Sequence, residues 1–344
     1  MEMTAAYYEG NKQFTVKPLA DLPPLEAGTV RLNVAYCGIC GTDVHIYHGT
    51  MDQRVQIPQV IGHEVSGVVS EVGPEVTGFQ VGEAVTVRPL QPGKATAFDN
   101  GYTHIGKNLK FIGIDTPGGM QASWVVPAYT LHKLPGGVSL KQAALIEPLA
   151  VACHDVRLSA SKSGDRAVVL GGGPIGVLVA LVARHQGAEV LVSEVNPHRL
   201  ELIQSLGFET VNPMVENVVD RVAQFTADAM ADVVFEVSGV AAAVDTMTQL
   251  LRVRGRAVMV AIHGQPKPVR LFDFFWKELQ LVGARVYEPE DFEMAIALVD
   301  SGKLPLTRII TEVLPLTDIQ QAFERIDDNP SGMKYLLHCN EQIQ

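Results

Sequence analysis

The stretch "VAYCGICGTDVHIYHG", residues 34 to 49, sets Cys37 and Cys40 three positions apart and follows them with Asp43, His45 and His48. Such a pair can be a redox couple, half of a structural zinc knot, or one metal ligand beside a bystander. Downstream stand "GHE", with His63 and Glu64, and "ALIEPLAVACH", with Glu147. Thiolate, imidazole and carboxylate are the ligand types of a catalytic zinc that keeps one position open for substrate or water. One of each would bring the formal charge of such a site to zero. Taken singly, each residue has a plainer role: His63 in a turn, Glu64 as a solvated charge, Glu147 as the acid opening a helix before Pro148. A redox pair needs a strand–helix setting, and the surroundings of Cys37 and Cys40 are β-rich.

A second group with chemical potential is "VVLGGGPIGVL". It holds Gly171-x-Gly173-x-x-Gly176, with Pro174 and Ile175 between the last two glycines, after an apolar strand and at the mouth of a helix. The glycines permit a tight turn, close approach of backbone to a pyrophosphate, and packing of helix on strand. The helix N-terminus supplies N–H groups and positive dipole to the phosphates. Glu194 closes the next strand, 18 residues after Gly176. A carboxylate there accepts ribose hydroxyls and repels a 2′-phosphate, which favours NAD over NADP. Arg199 lies close enough in sequence to serve a phosphate instead.

These groups need scaffolding, and the chain carries two textures. Up to about residue 140 it runs in short β-rich segments punctuated by Gly73, Gly78 and Gly82, as in a small, bent barrel or sandwich. From Asp165 to residue 262, apolar strands alternate with helical runs, the pattern of a doubly wound parallel sheet covered on both faces. Asn196, Pro197 and Gly207 mark the start and stop of one of those helices. The 344 residues suit two domains. A net charge of −11 and scattered Lys and Arg argue against nucleic acid and anionic membranes as partners. Four cysteines, no secretory leader at "MEMTAAYYEG", and an uncharged run (Ala167 to Ala183) broken by Gly-Gly-Gly-Pro lead to the expectation of a cytoplasmic, non-membrane protein.

Taken together, "GICGTDVH", "GHE" with "SGVVSEVG", "LIEPLAVACH", "VLGGGPIG" and "SGKLPLTRIIT" resemble the zinc-dependent medium-chain dehydrogenases. Within them the resemblance is to the polyol branch of sorbitol, butanediol, threonine and sugar-acid dehydrogenases. It implies an α/β fold: a discontinuous, β-rich GroES-like catalytic domain (1–149 and 288–344) around a Rossmann domain (150–287). It makes Cys40 a zinc ligand, leaves Cys37 a bystander and gives His63 as second ligand. The remaining place goes to Glu64, Glu147 or a water held by either. The resemblance further implies that Asp43 orients a ligand, Thr42 bonds the substrate alcohol and His45 passes its proton towards solvent. Arg285 stands near where relatives place an arginine for hydroxyls or a carboxylate, and Tyr47 and His48 are candidate pocket walls. A homo-oligomer is implied, tetramer ahead of dimer.

One stretch departs from the family. Many relatives carry a structural zinc on a lobe patterned C-G-x-C-x-x-C-x-x-G-x-x-H-x-C-x-N-L. Residues 92 to 109 keep Gly93, Gly101, His104, Asn108 and Leu109, but the cysteine positions hold Pro92, Ala95, Phe98 and Gly106. One zinc per chain is expected, with Phe98 packing in place of the lost metal. The expected reaction moves a hydride between a secondary alcohol of a polyol, sugar acid or cyclitol and NAD. A threonine or vicinal-diol dehydrogenase is the alternative, and a non-catalytic NAD-binding sensor or scaffold the reading from another class.

Overall fold

The computed structural model describes residues 3–19, 22 and 24–343. Met1 and Glu2, where the reading of the leader begins, lie outside them. The chain divides into two compact units, Met1–Glu147 with Phe292–Gln344, and Pro148–Asp291.

The first unit is built on the long strand Thr29–Ile39, whose apolar residues are buried on both faces. Among the described residues it lies in a seven-stranded sheet. Glu64–Val72 and Lys334–His338 flank it antiparallel, and Ser123–Pro127 pairs with its first half. Ile310–Pro315 runs parallel to Lys334–His338 at the outer end. The expected bent β-rich domain is therefore completed by strands from the tail.

In the second unit, six parallel strands among the described residues run in the order Glu209–Val211, Glu189–Ser193, Arg166–Leu170, Ala231–Glu236, Leu251–Met259, Gln280–Gly283. This is the doubly wound order, which reverses beside Arg166–Leu170. The helix Pro174–His185 starts at Gly173 with proline in its first turn. Its residues Gly176 to Ala183 are all buried, so the uncharged run is a strand, turn and core helix. Asn196 caps Pro197–Ser205 by accepting from the N–H groups of His198 and Arg199. Val168, Leu191, Val234 and Met247 lie in the core formed on the sheet. Among the described residues no helix is long and apolar enough to cross a membrane.

Candidate active site

The register of two strands assembles the site. Gly38 stands opposite Glu64 in the antiparallel pair, so Cys40, just past one strand, and His63, just before the other, fall at the same end. Cys40 caps the helix Gly41–Tyr47, and its N–H donates to Asp43 Oδ2 at 2.8 Å. One ligand-type atom from each of Cys40, His63 and Glu64 lies within 4.8 Å of the others.

This cluster fits a cation. Asp43 Oδ1, His63 Nδ1 and Glu64 Oε2 are buried without a hydrogen-bond partner, and such atoms cost about 1–3 kcal/mol each when nothing compensates them. Burial alone would lower the pKa of His63, yet Asp43 and Cys40 beside it push it up to about 10. The pocket is short of positive charge, and its sulfur, nitrogen and oxygen donors are those zinc takes.

Glu64 has a second tie. Lys334, buried on the strand Lys334–His338, donates from Nζ to Glu64 Oε1 and to the carbonyl of Ile39. Burial opposes the Lys334 charge, but Glu64 and Cys40 more than offset it and raise its pKa. A Cβ on Gly38 would overlap Glu64 Oε2, so glycine there leaves room for the carboxylate. Glu147, in the first turn of Ile146–Ser159, is buried and acts electrostatically on His63 and Lys334. It is outside the 4.8 Å set.

In the other unit, Gly171 has φ 110°, in a region that favours glycine. A Cβ on Gly176 would overlap the Gly171 carbonyl oxygen. Gly173 caps the helix, Pro174 is its first residue and Ile175 lies half-buried beside it. Glu194 accepts from Gly172 N at 2.9 Å and from the N–H groups of Val195 and Asn196 at 2.7 and 2.8 Å. Arg199 reaches to 4.0 Å from Glu194 Oε2.

Residues 26–136 match the GroES-like domain of alcohol dehydrogenases and residues 174–301 the zinc-binding dehydrogenase family. Over 341 residues, 99% of this chain and 100% of the relative, the sequence is 59% identical to the 2-dehydro-3-deoxy-L-galactonate 5-dehydrogenase of Pseudoalteromonas atlantica. The chain belongs to the zinc-binding alcohol dehydrogenase family. The crystal structure of 2R,3R-butanediol dehydrogenase from Bacillus subtilis superposes with a TM-score of 0.90 at 32% identity, covering 98% of this chain and 100% of that one. A zinc-binding dehydrogenase of Sinorhizobium meliloti, bound to NADP, gives 0.91 at 29% identity, covering 98% and 99%. Zinc and a nicotinamide cofactor are thus the working groups of this dehydrogenase.

Three features of this dehydrogenase differ from, or add to, the sequence reading. Phe98 does not pack in place of a metal: it is 77% exposed. Its neighbour Asp99 turns inward, accepting from Thr96 N, Thr96 Oγ1 and Lys107 N at 2.7 to 3.0 Å. A short turn has no apolar period to say which neighbour faces in, and the backbone donors select the carboxylate. Tyr47 is buried against Phe14 and Phe323, with Gln320 donating to its hydroxyl. Lys334 adds to the site; its sequence signal is a lysine opening a strand that continues Tyr-Leu-Leu.

The remaining candidates are placed as follows. Thr42 is half-buried and His45 exposed on the helix that Cys40 caps. His48 pairs with Asp327 at 2.8 Å. Cys37 is buried, which pushes its thiol well up, and it is not in the ligand set. Arg285 is exposed in the second unit.

Proposed function

We propose that this chain oxidises the secondary hydroxyl of a sugar acid, at C5 of 2-dehydro-3-deoxy-L-galactonate or a close analogue, with NAD and one zinc per chain. The observation that carries the reading is the Cys40–His63–Glu64 cluster, with His63 and Glu64 buried and Cys40 half-buried, in a chain so similar to a sugar-acid dehydrogenase. When bound, zinc supplies Lewis acidity to the substrate hydroxyl and the nicotinamide takes up the hydride. Cys40 and His63 hold the metal, with Glu64 or Glu147 in the third place. Asp43 orients His63, as carboxylates behind metal-bound imidazoles do. Thr42 holds the substrate hydroxyl and His45, reaching solvent, carries its proton away.

Arg285 is the candidate partner for the substrate carboxylate. It immediately precedes Val286, whose φ of 61° is rare for a β-branched residue. Backbone of this kind clusters at ligand sites. The Gly171–Gly176 loop and Glu194 support NAD. All four cysteines are free, which supports a cytoplasmic setting.

A second copy of the chain is the proposed partner for the exposed face of Leu271–Lys277. Phe272, Phe275 and Trp276 stand open there, beside the sheet-edge strand Gln280–Gly283. With Leu271 and Leu281 they offer on the order of 600 Å² of apolar surface, near the ~800 Å² per partner of a standard interface. Light scattering tests this: a monomer at micromolar concentration removes the proposal.

The deciding experiment compares NADH formation from 2-dehydro-3-deoxy-L-galactonate, (R,R)-butanediol and L-threonine, alongside zinc per chain. The sugar acid is expected to lead in kcat/KM by at least about tenfold. A lead for threonine or the diol moves the chain to that branch. No turnover of any of the three, with zinc bound, favours the sensor or scaffold.

A further inference from the structure

Glu236 ends the strand Ala231–Glu236 and its side chain is fully buried. Oε1 accepts from Ser238 N at 3.0 Å, Ser238 Oγ at 2.6 Å and Gly239 N at 3.0 Å. Oε2 lies 3.0 Å from His263 Nε2, which donates to it in the tautomer that carries the proton there. Three donors gathered on Oε1, two of them backbone N–H groups, with a ring nitrogen on Oε2, suit a carboxylate. Its backbone carbonyl also takes the N–H groups of Val260 and Ala261. One residue therefore pins the loops that follow two neighbouring strands.

Those loops border the phosphate loop. Val237 N donates to the carbonyl of Leu170, and a Cβ on Gly171 would come within 3.0 Å of Ser238 N. The crevice of a doubly wound sheet opens where the strand order reverses, at the carboxyl ends of the strands. Here that is between Arg166–Leu170 and Ala231–Glu236. Glu194 assigns the adenosine half to the Glu189–Ser193 side, which leaves the nicotinamide half over the loops Glu236 holds. A strand end in an apolar sheet needs no acid, and burying a carboxylate is unfavourable unless its charge is used or matched. His263 is the partner the structure gives it from a neighbouring strand's loop, and the ring donates a single bond.

We infer that Glu236 is a positioning residue whose buried charge biases the crevice towards the oxidised, cationic nicotinamide over the neutral reduced ring. The inference rests on the dinucleotide reading above. It deepens that reading by making a residue outside the phosphate loop discriminate between the two redox states of the cofactor. The carboxylate acts at a distance, through its field and through the Ser238–Gly239 turn.

The test measures direct binding of NAD+, NADH and ADP-ribose to the zinc-loaded protein and to Glu236→Gln, which keeps the shape and one acceptor oxygen but removes the charge. NAD+ is expected to weaken about tenfold, the scale of one partly screened unit charge, and NADH and ADP-ribose less than about twofold. Equal weakening of all three ligands would mean that Glu236 only supports the fold, and overturns the inference. So does an unchanged NAD+ to NADH ratio. His263→Gln, which keeps both the charge and a donor, should hold that ratio within about twofold; a shift like that of Glu236→Gln overturns the inference without relying on that variant's folding. If the unaltered protein binds none of the three, the cofactor reading itself falls, which is a different result from either.

Discussion

Asp43 stands behind His63, with Oδ1 3.6 Å from Nδ1 and both side chains closed to solvent. Its other oxygen accepts the N–H of Cys40, so one carboxylate lies against two proposed ligands. Asp43→Asn is expected to weaken zinc by about 10- to 100-fold, the usual effect of losing such a support. Competition with a metallochromic chelator reads it directly, and an unchanged affinity would remove Asp43 from the site.

Lys334→Met should leave Glu64 buried without its cation. Breaking a buried pair from one side costs about 3–5 kcal/mol. The double variant Lys334→Met/Glu64→Gln should recover part of that loss, and urea unfolding of all four proteins in the cycle isolates the coupling. Simple additivity would show that the two residues do not depend on each other.

In the lobe, Asp99 gathers three donors from Thr96 and Lys107. Asp99→Ala removes three hydrogen-bond acceptances and should destabilise the lobe. Limited proteolysis between residues 92 and 109 should accelerate in that variant, and a chelator should not accelerate it in the unaltered protein. Chelator-induced cleavage there would reveal a second metal.

Acid should loosen the second unit through Asp291. Burial alone would raise its carboxyl, but hydrogen bonds from Arg157 and His154 outweigh burial and hold it well below the usual range. A depressed folded pKa stabilises fully above the unfolded value of about 3.9. That contribution disappears as pH falls through the folded value. Melting temperatures from pH 6 down to the acid limit should therefore drop more steeply for the unaltered protein than for Asp291→Asn. Parallel curves would mean that Asp291 is not the sensitive group.

Glu194→Ser should reduce the proposed preference for NAD over NADP by more than about tenfold. Because Glu194 also holds three backbone N–H groups of its own loops, the variant should raise KM for both cofactors. The ratio of the two kcat/KM values is the discriminating quantity.

What was legible in the sequence was local. Gly171, Gly173 and Gly176 announce themselves because strand, turn and helix N-terminus are contiguous, and Cys40 and His63 sit in short strings with family character. Lys334 was not legible, since it meets Glu64 across 270 positions and only strand register brings them together. The inward turn of Asp99 rather than Phe98 is set by backbone donors in a short turn, where side-chain hydrophobicity gives no guide. Tyr47 reads like a pocket residue because it follows Thr42 and His45, yet helical geometry sends its ring to the opposite, packed side.

The bond between Lys334 and Glu64 also places the site on a clock. During synthesis Glu64 leaves the ribosome long before its counter-charge exists, and the strand Lys334–His338 must slot between Thr29–Ile39 and Ile310–Pro315 before the carboxylate can be buried in balance. Nascent chains arrested short of residue 334 would therefore hold Cys40 and His63 in an open, hydrated end of the sheet. On the proposed ligand set, metal capture in its final form would be one of the last events of assembly.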